Sequence, residues 1–203
     1  VSFASLADTA TLTATVKDSG GTVMSGVTVT WSTSSASVAT VSTAGLVTAV
    51  ADGTATVTAA FGTLAATTSV TVAQVAASVT LSPTTVSFAS LGDTTQLTAT
   101  VKDANDSTMS GATVSWATSA ASVATVSTAG LVTSVADGTA TITATSGSRN
   151  ISATVTVSQV ATSITLAPTS LSFASAGDTA TFVPTVTDAL GATMPGATVT
   201  WTT

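Results

Sequence analysis

The sequence predicts an all-β chain built from tandem sandwich domains, and three observations carry that prediction. Trp31, Trp116 and Trp201 recur every 85 residues, and Phe3, Phe88 and Phe173 keep the same spacing, as do Asp8, Asp93 and Asp178. Gly45 pairs in this way with Gly130, Gly53 with Gly138 and Gln74 with Gln159, while the stretch ASVATVSTAGLVT stands unchanged at 36–48 and 121–133. A period this long, with one tryptophan per unit, marks an array of small domains rather than a solenoid, whose units run roughly 20–50 residues. The second observation is a two-residue alternation of apolar side chains with Thr and Ser over short runs, the period of a half-buried strand. The third is composition: about a quarter of the residues are Thr, whose branched side chain is stiff at χ1 and fits a pleated sheet. No segment shows a 3.6-residue period, so helix is expected to be essentially absent.

Within the middle repeat each strand can be placed in turn. Val79 and Leu81 alternate before Pro83, which splits the opening strand, and Val86 and Phe88 follow it. In TQLTATVKD, Leu97, Ala99 and Val101 share one face and Thr98 and Thr100 the other. Ala112, Val114 and Trp116 are expected to point inward together. The runs SVATV and GLVTSV make two short strands joined through Ser127–Gly130. ADGT follows, with an Asp-Gly pair that predicts a tight hairpin because glycine tolerates a positive φ. After it Ala140, Ile142 and Ala144, then Ile151, Ala153, Val155 and Val157, face in. Seven or eight strands per repeat result.

The repeat also sets the boundaries: residues 1–74 are expected to form a domain lacking its first strand, 75–159 a complete domain, and 160–203 the N-terminal half of a third. A chain cut within its folding units is expected to belong to a longer array. In the third repeat Pro184 stands where the second has Ala99 and removes a ladder donor, which predicts a bulge or an edge position.

Three basic residues against nine acidic ones give a net charge of −6, and there is no Glu, His, Cys or Tyr. Nucleic-acid binding, which needs clustered Lys and Arg, is excluded on that balance, and anionic membranes are poor partners. Without cysteine there are no disulfides and few routes to zinc. No apolar run approaches the ~20 residues that span a bilayer, so no membrane insertion is expected. Without His, Cys or Glu the inventory of general bases and nucleophiles is nearly empty, and a non-catalytic protein follows.

The order of the motifs, W-(S/A)-T-S, then VATVSTAGLVT, then ADGTATIT, resembles the bacterial immunoglobulin-like group 2 domain over the whole chain. That resemblance implies an immunoglobulin-like two-sheet sandwich with Greek-key connections. It also implies a module repeated in surface proteins of the intimin and invasin type and in some phage virion proteins.

Candidate sites are few. Trp31, Trp116, Trp201, Phe88 and Phe173 are expected in the cores. Asp103, Asn105 and Asp106 crowd one loop and are the candidates for a calcium ion, a hard cation that takes six to eight oxygens. The cluster is not repeated in the other units, and turn-forming Asp is the commoner reading, so the expectation is no metal and no cofactor. Asn105 and Asn150 each open an N-x-S sequon and are the candidate glycosylation positions. Lys102 with Asn150 as an isopeptide pair, and the Thr54–Thr56–Thr58 and Thr139–Thr141–Thr143 faces as an ice-binding surface, are readings that a solvated lysine and ordinary outward threonines explain better.

These features predict a structural array outside a microbial cell, an extended stalk or fibre on the cell surface. Its partners would be neighbouring repeats of the same chain and other copies in a fibre. The alternatives are an adhesive module for a glycan or a surface receptor, and a phage virion fibre or decoration protein. Near-identity of the repeats through 36–48 and 121–133 favours the spacer over the adhesin, whose loops would be expected to diverge.

Overall fold

A computed structural model describes the whole chain, Val1–Thr203, as strands and loops without a helix. The first repeat carries β1 (Ser2–Phe3), β2 (Thr9–Thr11), β3 (Thr30–Thr33), β4 (Ala39–Val41), β5 (Leu46–Ala49), β6 (Gly53–Phe61) and β7 (Leu64–Val72). The second carries β8 (Ser78–Ser82), β9 (Thr85–Phe88), β10 (Thr94–Gln96), β11 (Thr98–Lys102), β12 (Ser115–Thr118), β13 (Ala124–Val126), β14 (Leu131–Ser134), β15 (Gly138–Ser146) and β16 (Arg149–Val157). The third contributes β17 (Ser163–Ala167) and β18 (Val183–Thr187).

The chain folds as two compact units, each a repeat together with the segments that complete it. The first comprises Val1–Val79, Thr100–Thr113 and Ser146–Arg149, the second Thr80–Ala99, Val114–Thr145 and Asn150–Thr203. In the first unit a sheet ordered β1-β7-β6-β3 faces a sheet ordered β2-β5-β4. Phe3, Val57, Val70 and Val72 from one sheet meet Ala39, Val47 and Ala49 from the other in a single buried cluster. Transfer of this apolar surface out of water is what holds the two sheets together. β6 and β7 form the long hairpin, in register from Gly53 opposite Val72 to Phe61 opposite Leu64, and β1 runs parallel to β7.

The second unit repeats the plan. The sheets β12-β15-β16-β9 and β10-β14-β13 enclose Leu81, Phe88, Leu97, Val132, Ile142 and Val155. Ala140, Ile142, Ala144, Ala153, Val155 and Val157 all face in, as their alternation predicts. β9 runs parallel to β16, with Val86 opposite Val155.

Three expectations need correction. TQLTATVKD is not one strand: β10 pairs with β14, and β11 pairs with β8, so the chain changes sheets at Leu97. That residue is 1% exposed, because a side chain at the crossing point is covered from both sheets. Neither is the Asp-Gly pair a hairpin. β5 and β6 lie in opposite sheets, as do β14 and β15, so Asp52-Gly53 and Asp137-Gly138 are sheet-to-sheet crossings. The glycine is still required there: φ is +143° at Gly53 and +142° at Gly138, and a Cβ would come within 2.9 Å of Val38 and 3.0 Å of Val123. The tight hairpins are instead β6–β7 and β15–β16, turning at Gly62 and Gly147.

The third correction concerns the third repeat. Phe88 is buried, and Trp31 and Trp116 are half-buried against their cores, but Phe173 and Trp201 are each 56% exposed. Neither joins a buried cluster, and the Trp201 ring lies 6.2 Å from that of Phe182. Of the two positions expected for Pro184 the structure shows the edge: it lies in β18, opposite Leu166 in an unbroken two-stranded register with β17.

Candidate functional site

The carboxylates of this chain recur with the repeat, and each kind is held by main-chain amides. Asp8 accepts the Ser5 N–H at 3.2 Å, and its counterpart Asp178 accepts those of Ala174 and Ser175 at 3.1 and 2.9 Å. At the sheet crossing, Asp52 accepts the Gln74 N–H at 2.8 Å and Asp137 the Gln159 N–H at 2.7 Å. The third kind, Asp18, Asp103 and Asp188, sits in the turns that follow Lys17, the end of β11 and the end of β18.

Asp103 joins one repeat to the next. Its Oδ1 accepts the N–H groups of Asn105 and Ser107, both at 3.0 Å, which folds the turn around the carboxylate. Its Oδ2 accepts two donors from the first repeat, the Leu6 N–H at 2.8 Å and the Gln74 Nε2 amide at 2.8 Å. The side chain is 2% exposed. Burial pushes the carboxyl up, but the Gln74 amide and the Leu6, Ser107 and Asn105 N–H groups more than offset it, leaving Asp103 below the usual carboxylate range.

The second unit reproduces the arrangement at Asp188. Gln159 Nε2 and the Leu91 N–H each donate to Oδ2 at 2.9 Å, while Leu190 and Ala192 donate to Oδ1 at 3.0 and 2.9 Å. The Gln159 amide, helped by the three backbone donors against the burial that opposes them, holds this carboxyl low as well. Each joint is therefore a relay: a crossing-loop Asp fixes the glutamine backbone, and the glutamine side chain reaches the turn Asp of the following repeat. Both relays lie inside a compact unit. No buried side-chain polar atom is left without a partner.

The two joints differ at one position. Asn105 donates from Nδ2 to the Leu6 carbonyl at 2.8 Å and to Asp8 Oδ1 at 2.9 Å, whereas Leu190 occupies the corresponding place in the second unit. Asp106, with φ +64° and an 81% exposed side chain, turns away and pairs with Lys102 at 3.0 Å. Asp103, Asn105 and Asp106 are thus close in sequence but aimed at different partners. Both Asp103 oxygens face N–H donors, Asn105 presents amide hydrogens, and no group of three acidic, His or Cys side chains converges. Of the sequon residues, Asn105 is committed to the joint, while Asn150 is exposed at the start of β16.

Sequence reasoning placed the acidic residues in turns but missed the role of the glutamines and of the Leu6 and Leu91 N–H groups. A signal for the glutamines exists: the chain has three, and two of them, Gln74 and Gln159, keep the 85-residue spacing.

With this geometry in hand, comparison with known proteins is informative about family. The bacterial Ig-like domain (group 2) family matches residues 75–157, and a bacterial Ig-like domain family matches residues 27–74. Comparison with curated proteins finds no match. Among solved structures the chain is similar to domains 4 and 5 of the S-layer protein SbsC, at 29% identity and TM-score 0.40 over 73% of this chain and 81% of that one. A longer SbsC structure, rSbsC(31-844), aligns at 25% identity and TM-score 0.42 over 91% of this chain, which spans 27% of that one. Invasin, a bacterial integrin-binding protein, aligns at 20% identity and TM-score 0.48 over 91% of this chain and 44% of that one.

Proposed function

We propose, from the match of residues 75–157 to the bacterial Ig-like domain (group 2) family, that the chain is a non-catalytic spacer, a run of sandwich repeats that works as an extended stalk or fibre outside a microbial cell. The observation that carries this reading is the relay at both joints. Spacers gain from resisting bending between domains, and a hydrogen-bonded carboxylate buried at each joint supplies that resistance. Hydrogen bonds to charged groups contribute roughly 1.5–3 kcal/mol each. The connection is also short, with Gln74 and the first residue of β8 only a few positions apart, so little slack remains.

The charge-poor hydroxyl surface suits the same role. Thr54, Thr56 and Thr58 on β6 stand opposite Thr71, Ser69 and Thr67 on β7, a face that stays hydrated without attracting ionic partners. The neighbouring repeats are the partners this reading requires. It requires no cofactor.

The test is Gln74→Ala, which keeps the backbone bond to Asp52 and removes the amide that reaches Asp103. Spin labels placed in the first and second repeats should show a broadened distance distribution in the variant, with melting of the individual sandwiches little changed. An unchanged distribution would mean that the relay does not set the joint, and the spacer reading would lose its support. An adhesive module would show the opposite dependence: attachment to a surface lost on changing a few loop residues and indifferent to the joint.

A further inference from the structure

The chain has two asparagines, Asn105 and Asn150, and each opens an Asn-x-Ser sequon. Their surroundings separate them. Both hydrogens of the Asn105 amide are donated within the first unit, to the Leu6 carbonyl at 2.8 Å and to Asp8 Oδ1 at 2.9 Å. A sugar on that nitrogen would replace one hydrogen and break one of the two bonds. Asn150 is the second residue of β16, exposed, and no hydrogen bond engages its side chain.

Residues two apart on a strand share a face. Asn150 and Ser152 therefore point outward together, while Ile151 packs against the core and Ala153 is buried in it. The amide and the hydroxyl of the sequon lie on one solvent-facing side, with Ser152 Oγ 2.9 Å from Thr143 Oγ1. The strand is also half free at this end. β9 lies beside only the later part of β16, from Thr154 opposite Thr85 to Val157 opposite Phe88, so Asn150–Ala153 has a strand neighbour, β15, on one side alone. A strand end paired on one side opens at lower cost than the middle of a sheet, and an acceptor segment must bend out of the sheet to reach a transferase. Thr154 and Thr156, which continue the same face, are exposed hydroxyls, so a sugar at Asn150 stands over a hydrophilic surface.

We propose that Asn150 is the acceptor of an N-linked sugar on the folded chain, and that Asn105 is spared by the bonds its amide makes. The donor is a sugar carried through its anomeric carbon on a phosphate, either of a nucleotide or of a lipid. The Asn150 amide nitrogen attacks that carbon and the new C1–Nδ2 bond forms. The C1–O bond to phosphate breaks, its electron pair leaves with the phosphate, and one amide proton passes to a base of the transferase. The product is a bulky, hydrated group on the outer face of β16. Beside a half-open strand edge it obstructs the addition of a foreign strand, the protection that charged side chains give to other edges.

The test is made on the protein recovered from the cell that makes it. Trypsin cleaves after Lys102 and Arg149 and so parts the two sequons, and mass spectrometry weighs the peptides. The peptide that begins at Asn150 should carry added sugar, and the one from Asp103 to Arg149 none. A single hexose identifies a nucleotide-linked donor, a longer saccharide a lipid-linked one. Asn150→Gln and Ser152→Ala should each abolish the addition, and Ser152→Thr should retain it, because the transferase reads the hydroxyl two residues on. A bare Asn150, a sugar on Asn105 to the same extent, or an addition that survives Ser152→Ala would each overturn the assignment. The relay plays no part in this readout. A bare Asn150 leaves the spacer reading to the Gln74→Ala test, and failure of that test leaves the sugar at Asn150 in place.

Discussion

Gly130 shows how tightly single residues are constrained in this fold. Its φ of +82° lies in the left-handed region, and a Cβ there would sit 2.7 Å from both the Leu97 carbonyl oxygen and Trp116 Cζ2. Gly130→Ala is expected to cost about 1–2 kcal/mol for the backbone and about 1–3 kcal/mol more for displacing the indole. Chemical denaturation of the variant, monitored by Trp116 fluorescence, measures this. Asp103 carries the pH dependence. Folding lowers its carboxyl and that of Asp188 below the unfolded value of about 3.9, so the stabilisation is complete above that pH and is lost as pH falls through the lowered folded values. Asp103→Asn should melt lower than wild type at pH 7, and its melting temperature should fall less between pH 5 and pH 2. A parallel fall in both proteins would show that other carboxylates carry the acid sensitivity.

At the scale of elements, the strand that changes sheets at Leu97 ties the two layers of the second sandwich together. Leu97→Ala removes a side chain that is 1% exposed and should destabilise that sandwich by about 2–5 kcal/mol, read from its denaturation midpoint. Leu12, at the equivalent position of the first repeat, is only half-buried, so Leu12→Ala should cost less. The difference is one of cover and not of sequence, since both leucines stand in the same motif context.

For the whole molecule the 85-residue period makes the joints interchangeable. Deleting Val75–Gln159 places Gln74 directly before Val160, the same neighbourhood Gln159 has now. Gln74 should then donate to Asp188, and Leu6 should take the place of Leu91 at its Oδ2. The shortened chain is expected to melt cooperatively and to show the Asp188 carboxyl still titrating low, which NMR titration of the side-chain carbon would report. A raised, ordinary Asp188 would mean that the joint depends on the identity of the repeat and not on its repeated geometry.

The tryptophan spacing, the two-residue alternation and the charge balance determined by themselves the fold class, the repeat and the absence of helix, because periodicity and composition are local properties of a chain. Inward faces such as Ala140–Ile142–Ala144 were legible for the same reason. What required the tertiary structure was everything set by sheet membership. The crossing at Asp52-Gly53 resembles a hairpin until β5 and β6 are seen in opposite sheets. The break at Leu97 is invisible in an alternation that continues through it. The relay from Asp52 through Gln74 to Asp103 and Leu6 joins residues up to 97 positions apart, and it turns an apparent oxygen cluster at Asp103, Asn105 and Asp106 into three separate contacts. Side chains close in sequence share a loop, but where each one points is decided by the donors that the neighbouring repeat brings to it.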